Sequence, residues 1–324
     1  MRLLFLGTPA FAVPALRALH AAGHEVALVV TRPDRPRGRS ASPEPPEVKA
    51  AAVELSLPIY QPDGANRPET VSRLRPLKAQ LGIVVAYGEV LSPELLAVTE
   101  QGFLNLHASL LPGYRGAAPI NWALIRGERV TGVSIIRMTP RLDAGPILAE
   151  RRVDVGPTMT AGELSERLAH VGAQAMVEVV GRLEAGEEIA GRPQPPRGGF
   201  FARKLTKEDG RLDWRLSAGA IADRVRGLTP WPGAYCDFVG GGRAVRSELR
   251  LRVLVLQAAC ALPGEGSPTV APGVVLRADP VHGILVNAGE GAVLVMRLKP
   301  AGGREMDAAA FINGYRASPG DRFE

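Results

Sequence analysis

Cysteine is almost missing from this chain. Cys236 and Cys260 are the only two in 324 residues, which excludes a disulfide framework and a CxxC metal site and leaves nothing to argue for an oxidising compartment. Both read as buried thiols. Long apolar runs are missing too. Leu3-Leu4-Phe5-Leu6 meets Gly7-Thr8-Pro9 at once, too soon for the apolar part of a signal peptide or for a membrane span, so the expected protein is soluble and cytoplasmic. Internal repeats and low-complexity tracts are absent. So is G-x-G-x-x-G: Gly7 has no second glycine behind it to admit a pyrophosphate, which excludes nicotinamide binding. What remains of that turn is either a connection that aims backbone N–H groups outward or a plain strand-to-helix link. Charge is not strongly one-sided either. A formal net charge of +6 and a pI near 9.7 favour an anionic partner. The excess is spread, however: residues 204–324 carry 16 basic and 13 acidic side chains, against 23 and 20 before them. Charge alone therefore identifies no partner.

What is present is a long alternation of strand and helix patterns. Leu3 to Leu6 reads as a buried strand, Pro14 opens an Ala-rich helix that Gly23 can close, and Val26 to Thr31 is the next strand. The pattern continues with a helix over Pro46–Leu55, a strand near Ile59, a helix through Val71–Leu81 and a strand at Ile83–Tyr87. Leu95–Val98 and Phe103–His107 carry the alternation on. Thr131–Met138 and Pro146–Val155 add strands, and a long amphipathic helix is expected over Ala161–Glu184. Near-continuous apolar strands separated by helices imply a mostly parallel sheet covered on both faces, with ligands beyond the carboxyl ends of its strands. The texture then changes. Gly191 to Gly199 has linker composition, and short β-rich runs at Tyr235–Val239, Leu249–Leu256, Val274–Leu276, Ile284–Val286 and Val293–Met296 suggest a small OB-type barrel, with one helix over Ser217–Arg226. The expected division is a first domain over 1–190, a linker over 191–206 and a barrel domain over 207–324.

The richest stretch is Leu104-Asn105-Leu106-His107-Ala108-Ser109-Leu110-Leu111-Pro112-Gly113-Tyr114-Arg115-Gly116. In a strand, Asn105 and His107 point to one face. Leu142-Asp143-Ala144-Gly145 offers a carboxylate on a loop downstream. Moving a carbonyl-centred group to an amine needs a proton acceptor for the attacking nitrogen and donors for the oxygen that turns anionic. Asn105 can donate to that oxygen, His107 can take the proton or share the anion, and Asp143 can orient His107 and favour its charged form. The trio is chemically complete without a metal. Taken alone, an N-x-H pair is a weak signal, since a histidine at a strand end is more often a structural hydrogen-bonder.

Set side by side, these segments resemble the methionyl-tRNA formyltransferase family over nearly the whole chain. The resemblance rests on Phe5-Leu6-Gly7-Thr8-Pro9-Ala10-Phe11-Ala12, Thr31-Arg32-Pro33-Asp34-Arg35-Pro36-Arg37-Gly38-Arg39, Val85-Ala86-Tyr87-Gly88, the Asn105–Pro119 block and Leu142-Asp143-Ala144-Gly145. In the second half it rests on the run from Lys204 to Trp214, on Pro230-Trp231-Pro232 and on Leu298-Lys299-Pro300-Ala301-Gly302. It implies an α/β, Rossmann-like formyltransferase domain followed by an OB-like domain. The implied reaction moves a formyl group from 10-formyltetrahydrofolate, a cosubstrate and not a tightly bound cofactor, to the α-amino group of methionine on initiator tRNA. By motif position, Asn105, His107 and Asp143 are the implied catalytic trio, and Ser109, Leu110, Leu111 and Pro112 the folate-contacting turn. Tyr87 and Gly88 help form the pterin pocket. The implied partners are initiator methionyl-tRNA and the folate, with no membrane and a monomeric enzyme.

Arg39 matches a family arginine in the loop that approaches the tRNA acceptor end, with Arg32, Arg35 and Arg37 beside it. In the second domain Lys204, Lys207, Arg243 and Arg246 are candidates for tracking the tRNA backbone, although a barrel with solvated surface cations is the plainer reading. Trp214 and Trp231 are expected to pack at domain junctions. Two other readings stand beside the family one: a folate-dependent formyltransferase with a different acceptor, or a folate hydrolase with none, on the same trio and Ser109–Pro112 turn, and a tRNA-binding module without catalysis, on the basic charge and the barrel. In one respect the chain departs from the family. Many bacterial members are lysine-rich after the loop arginine, whereas this chain reads Ser40-Ala41-Ser42-Pro43-Glu44-Pro45-Pro46-Glu47. Fewer phosphates neutralised means a flatter dependence of log affinity on log salt. Titration of tRNA binding against salt is expected to give a shallower slope here than in a lysine-rich relative; equal slopes would contradict the expectation.

Overall fold

The computed structural model describes residues 1–36, 42–196, 198–240, 249–260 and 264–324. Arg37, Arg39, Arg243 and Arg246 lie outside the described residues, as does the side chain of Cys260. The chain divides into two compact units. Among the described residues no helix is long and apolar enough to cross a membrane.

The first unit comprises Met1–Pro119, Val130–Asp154 and Ser165–Arg203. It is built on a seven-stranded sheet in the order Ile147–Asp154, Val130–Arg137, Phe103–His107, Leu81–Val85, Arg2–Gly7, Glu25–Val30, Ile59–Tyr60. The five strands from Phe103–His107 to Ile59–Tyr60 are parallel; Val130–Arg137 pairs antiparallel with Phe103–His107, and Ile147–Asp154 antiparallel with Val130–Arg137. The mostly parallel sheet is thus as expected. Leu3 to Leu6 and Leu81 to Val85 are buried throughout, the unbroken apolar texture of strands covered on both faces. Gly82 is a packing glycine: a Cβ there would sit 2.1 Å from the Phe103 ring. Gly172, on the helix Ala161–Glu184, leaves room for Leu106 in the same way.

The long helix keeps its expected bounds. The helix expected through Leu81 does not; it spans Pro68–Leu74 and decays into a 3-10 turn over Arg75–Leu77. Pro76 has no N–H to continue the ladder, and Leu81 already belongs to a strand. Leu95–Val98 overlaps a short helix, Pro93–Leu96, capped by the Ser92 hydroxyl, which accepts from the Leu95 N–H at 3.3 Å. The basic loop leaves and returns as a two-residue ladder, Arg35–Pro36 against Pro43–Glu44.

The second unit comprises Ile120–Arg129, Val155–Leu164 and Lys204–Glu324. Its sheet runs in the order Val275–Asp279, Gly283–Asn287, Ala292–Pro300, Leu249–Cys260, Ala234–Gly240, Arg322–Phe323. A bridge between Val274 and Arg322 brings the last strand back to the first, so the antiparallel sheet nearly closes as a barrel. Two pieces from the middle of the chain belong to this unit. Asn121, on the helix Pro119–Ile125, donates to the Gly227 carbonyl at 2.8 Å, and Gly162 N–H donates to the Thr229 carbonyl at 3.2 Å. Arg226 is buried, pairs with Asp223 at 2.7 Å, and turns its other side toward the carbonyls of Gly156 and Met159.

Because the space at Gly82 is already filled, Gly82→Ala is expected to cost about 1–3 kcal/mol through overpacking. A urea midpoint equal to that of the parent chain would show that the Phe103 ring yields without cost.

Candidate active site

Phe103–His107 is the last parallel strand and borders the antiparallel Val130–Arg137, with Asn105 opposite Ile136 and His107 opposite Ser134. Alternation sends Leu104 and Leu106 into the core and leaves Asn105 and His107 on the other face. Asp143 stands in the loop that joins Val130–Arg137 to Ile147–Asp154, at φ +47°, a left-handed conformation that a short polar residue tolerates better than most. Its side chain is 8% exposed, and that of His107 6%. The Asp143 Oδ2 accepts the Gly116 N–H at 2.9 Å. Its Oδ1 accepts from Asn105 Nδ2 at 3.4 Å and lies 3.6 Å from His107 Nδ1. The three residues singled out in the sequence therefore meet around one carboxylate.

The hydrogen bonds fix how the imidazole presents itself. His107 Nε2 lies 3.0 Å from the Tyr114 carbonyl oxygen. A carbonyl only accepts, so Nε2 carries the hydrogen and the neutral ring has its lone pair on Nδ1. That basic nitrogen faces the Asp143 carboxylate at a distance too long for a hydrogen bond. A proton arriving at Nδ1 meets an opposite charge already in place. Tyr114, which supplies the carbonyl, is itself at φ +59°, and Ala86 is at φ +47°. Left-handed non-glycine residues cost free energy and cluster where function holds them.

The turn after His107 is closed from inside. Ser109 is fully buried, and its hydroxyl donates to the Gly113 carbonyl at 2.7 Å. The Ser134 hydroxyl donates to the Ser109 carbonyl at 2.8 Å and accepts the Leu111 N–H at 3.1 Å. Leu111 packs with Ile136 and Ile147. The Leu111–Pro112 peptide is cis. Of the four turn residues only Leu110 and Pro112 keep partial exposure, so they have the surface to offer a ligand. The Val85–Gly88 turn divides similarly. Tyr87 is buried in the main core cluster, while Ala86 and Gly88 are exposed. The Arg32 guanidinium donates to the Gly88 carbonyl at 3.0 Å, pairs with Glu89 at 3.3 Å and lies 5.8 Å from the centre of the Tyr87 ring. Arg32 is therefore engaged with this turn.

The remaining basic candidates are spread over both units. Arg35 is exposed in the first, and Lys204 and Lys207 are exposed in the second. Trp214 packs, as expected, but within the second unit: it is buried against Phe323, with ring centroids 5.7 Å apart. Trp231 is not packed; it is 52% exposed. Prolines flank it, and the Thr229–Pro230 and Trp231–Pro232 peptide bonds are cis. Two partners of Asp143 escaped the sequence reading. The Gly116 N–H is a main-chain donor that any residue type can supply. Gln194, which bonds the carbonyls of Asp143 and Gly145, sits in a stretch whose proline and glycine content reads only as linker.

Comparison with known proteins shows the family. Residues 1–180 match the family model described as formyl transferase, and residues 204–316 match the formyl transferase C-terminal domain. The chain is 44% identical to the methionyl-tRNA formyltransferase of Solibacter usitatus, over 99% of this chain and 98% of that protein. It is 43% identical to that of Heliobacterium modesticaldum over the full length of both. Among solved structures it is similar to WlaRD, a sugar 3N-formyl transferase, with a TM-score of 0.64 at 12% identity, over 91% of this chain and 96% of that one. It is also similar to HypX from Aquifex aeolicus, with a TM-score of 0.60 at 18% identity. There it covers 99% of this chain and spans about half of the HypX chain, 49%.

Burial, then the nearby Glu89, pushes the Tyr87 phenol up to about 12, with Arg32 opposing, and its hydroxyl has no hydrogen-bond partner among the described residues. A phenol held neutral by folding contributes stability that is full below the ordinary value of about 10 and is lost as pH rises toward 12. Tyr87→Phe is expected to unfold at the same or a higher urea concentration at neutral pH, and to lose less stability than the parent chain between pH 10 and 12. A clearly less stable variant would mean that the hydroxyl has a partner in solution.

Proposed function

The chain belongs to the methionyl-tRNA formyltransferase family, and we propose that it transfers the formyl group of 10-formyltetrahydrofolate to the α-amino group of methionine on initiator tRNA, for translation initiation. The observation that carries this reading is the meeting of Asn105, His107 and Asp143 from two separated segments at one strand end. The site holds the formyl carbon and the methionine amine in attack geometry and so replaces a bimolecular encounter by an oriented one.

The amine nitrogen bonds to the formyl carbon, the carbonyl oxygen takes up charge, and the bond from that carbon to the folate nitrogen breaks. Asn105 Nδ2, in long contact with Asp143 at 3.4 Å, donates to the charged oxygen. The proton lost by the amine is accepted at His107 Nδ1, whose charge Asp143 balances, and the departing folate nitrogen recovers a proton. The folate is a cosubstrate, with no tightly bound cofactor. Leu110, Pro112 and the main chain of Gly88 contact it, while Ser109, Leu111 and Tyr87 support those contacts from beneath. Arg35, Arg37 and Arg39 approach the acceptor end, with Lys204 and Lys207 on the backbone; residues 1–190 carry catalysis, and 207–324 serve the tRNA. These substrates place the reaction in the cytoplasm.

Labelled formyl transfer to charged initiator methionyl-tRNA, against elongator methionyl-tRNA and an amino-sugar nucleotide, tests the reading. Preference for the sugar, or release of formate without any acceptor, would overturn it. His107→Ala is expected to slow turnover by about 10² to 10⁴, and Asn105→Ala by about 10² to 10³. Each should leave tRNA affinity, measured by filter binding, nearly intact; near-parental turnover in either removes that residue from the mechanism.

A further inference from the structure

The segment with linker composition is fastened to the first unit. Ile147 and Arg192 exchange two main-chain hydrogen bonds, of 2.9 and 2.8 Å. Two residues further on, Gln194 Nε2 donates to the main-chain carbonyls of Asp143 at 2.9 Å and Gly145 at 2.6 Å. Its Oε1 accepts from Arg115 Nη2 at 2.7 Å and Nε at 3.1 Å, and Nη2 also reaches the Pro195 carbonyl at 3.1 Å. Carbonyls only accept and a guanidinium only donates, so the orientation of the amide is fixed. All four of its hydrogen-bonding capacities are used. The Arg115–Gly116 main chain in turn pairs with Phe201–Ala202, and the Gly116 N–H holds Asp143 Oδ2 at 2.9 Å.

These contacts close a ring. It runs from the Arg115 guanidinium to the Gln194 amide, to the Asp143 main chain, through the Asp143 side chain to the Gly116 N–H, and by one peptide bond back to Arg115. We propose that Gln194, oriented by Arg115, is a positioning residue that holds Asp143 in its left-handed backbone conformation and so aims its carboxylate at Asn105 and His107. Gln194 bonds the main-chain carbonyls of Asp143 and Gly145 and the Arg115 guanidinium, and takes no part in bond making. The inference rests on the formyl-transfer reading above and adds to it a residue outside the catalytic motifs.

Gln194→Met keeps the length of the side chain and removes every donor and acceptor. Its kcat for formyl transfer to initiator methionyl-tRNA is expected to fall roughly 10- to 100-fold, the scale of an ångström of misplacement. The KM for 10-formyltetrahydrofolate and for tRNA should stay within about twofold, because binding surfaces are untouched. Arg115→Met should lower kcat in the same way, and the double variant should be no slower than the slower single variant, since a ring broken twice is still one broken ring. Parental kcat in Gln194→Met, a loss confined to KM, or multiplying losses in the double variant would each overturn the proposal. If Gln194→Met does not fold, Arg115→Met decides: a reduced kcat with unchanged KM supports it, and an unchanged kcat overturns it. A parent chain that formylates no methionyl-tRNA overturns the underlying reading and this proposal with it, whereas an active parent with an equally active Gln194→Met overturns this proposal alone.

Discussion

A carboxylate withdrawn from water has to be given donors, and the first unit is organised around meeting that demand at Asp143. With its side chain 8% exposed, Asp143 would carry a heavy desolvation cost if left alone. It receives an N–H from the turn after one strand and a long amide contact from within that strand, while the imidazole nitrogen that could take up a proton stands 3.6 Å away, two residues further along. No two of these groups come from residues adjacent in sequence. The strand, the turn and the loop must all be in place before the charge is tolerable, so its burial and the assembly of the site are one event.

The sheet makes this possible by changing direction at the right place. The parallel strands end with Phe103–His107, and the next neighbour, Val130–Arg137, runs back alongside it. The loop that leaves this neighbour opposite Leu104 folds back over the strand, and its Asp143 reaches Asn105 and His107. Glycines let the layers close: a Cβ at Gly145 would stand 1.8 Å from the Arg137 carbonyl oxygen, and one at Gly132 would stand 2.1 Å from that of Arg151. The loop carrying Asp143 folds back tightly because Gly145 carries no side chain, and Gly132 does the same for the far end of the strand pair.

Much of this was legible in the sequence, and the reasons differ by element. The helix Ala161–Glu184 announces itself because a 24-residue amphipathic period is hard to mistake. The trio was visible because a two-residue spacing has one meaning in a strand. The helices Pro119–Ile125 and Ala308–Tyr315 were not seen. Each is short, and such segments gain their helicity from packing more than from their own propensity. Pro76 was underweighted, which carried a helix seven residues too far. Gln194 left no trace because a glutamine bonded to main-chain carbonyls has no periodicity and no partner side chain except Arg115. Trp231 was misread because indole rings usually find cover, and nothing in Pro-Trp-Pro states that this one does not.

The membership of the second unit bears on how such a protein can diverge. Its barrel begins at Lys204, yet Ile120–Arg129 and Val155–Leu164 are built into the same unit, and the buried Arg226 turns toward the carbonyls of Gly156 and Met159. A recombination event that imported a foreign barrel from residue 204 onward would deliver it without two of its own parts. Drift on the helix Ala218–Leu228 has to be answered by compensating drift some hundred positions upstream, inside what looks on paper like the other module's territory. The inheritance of the two halves is thereby linked, and a lineage that tunes the barrel does so together with the middle of its first half.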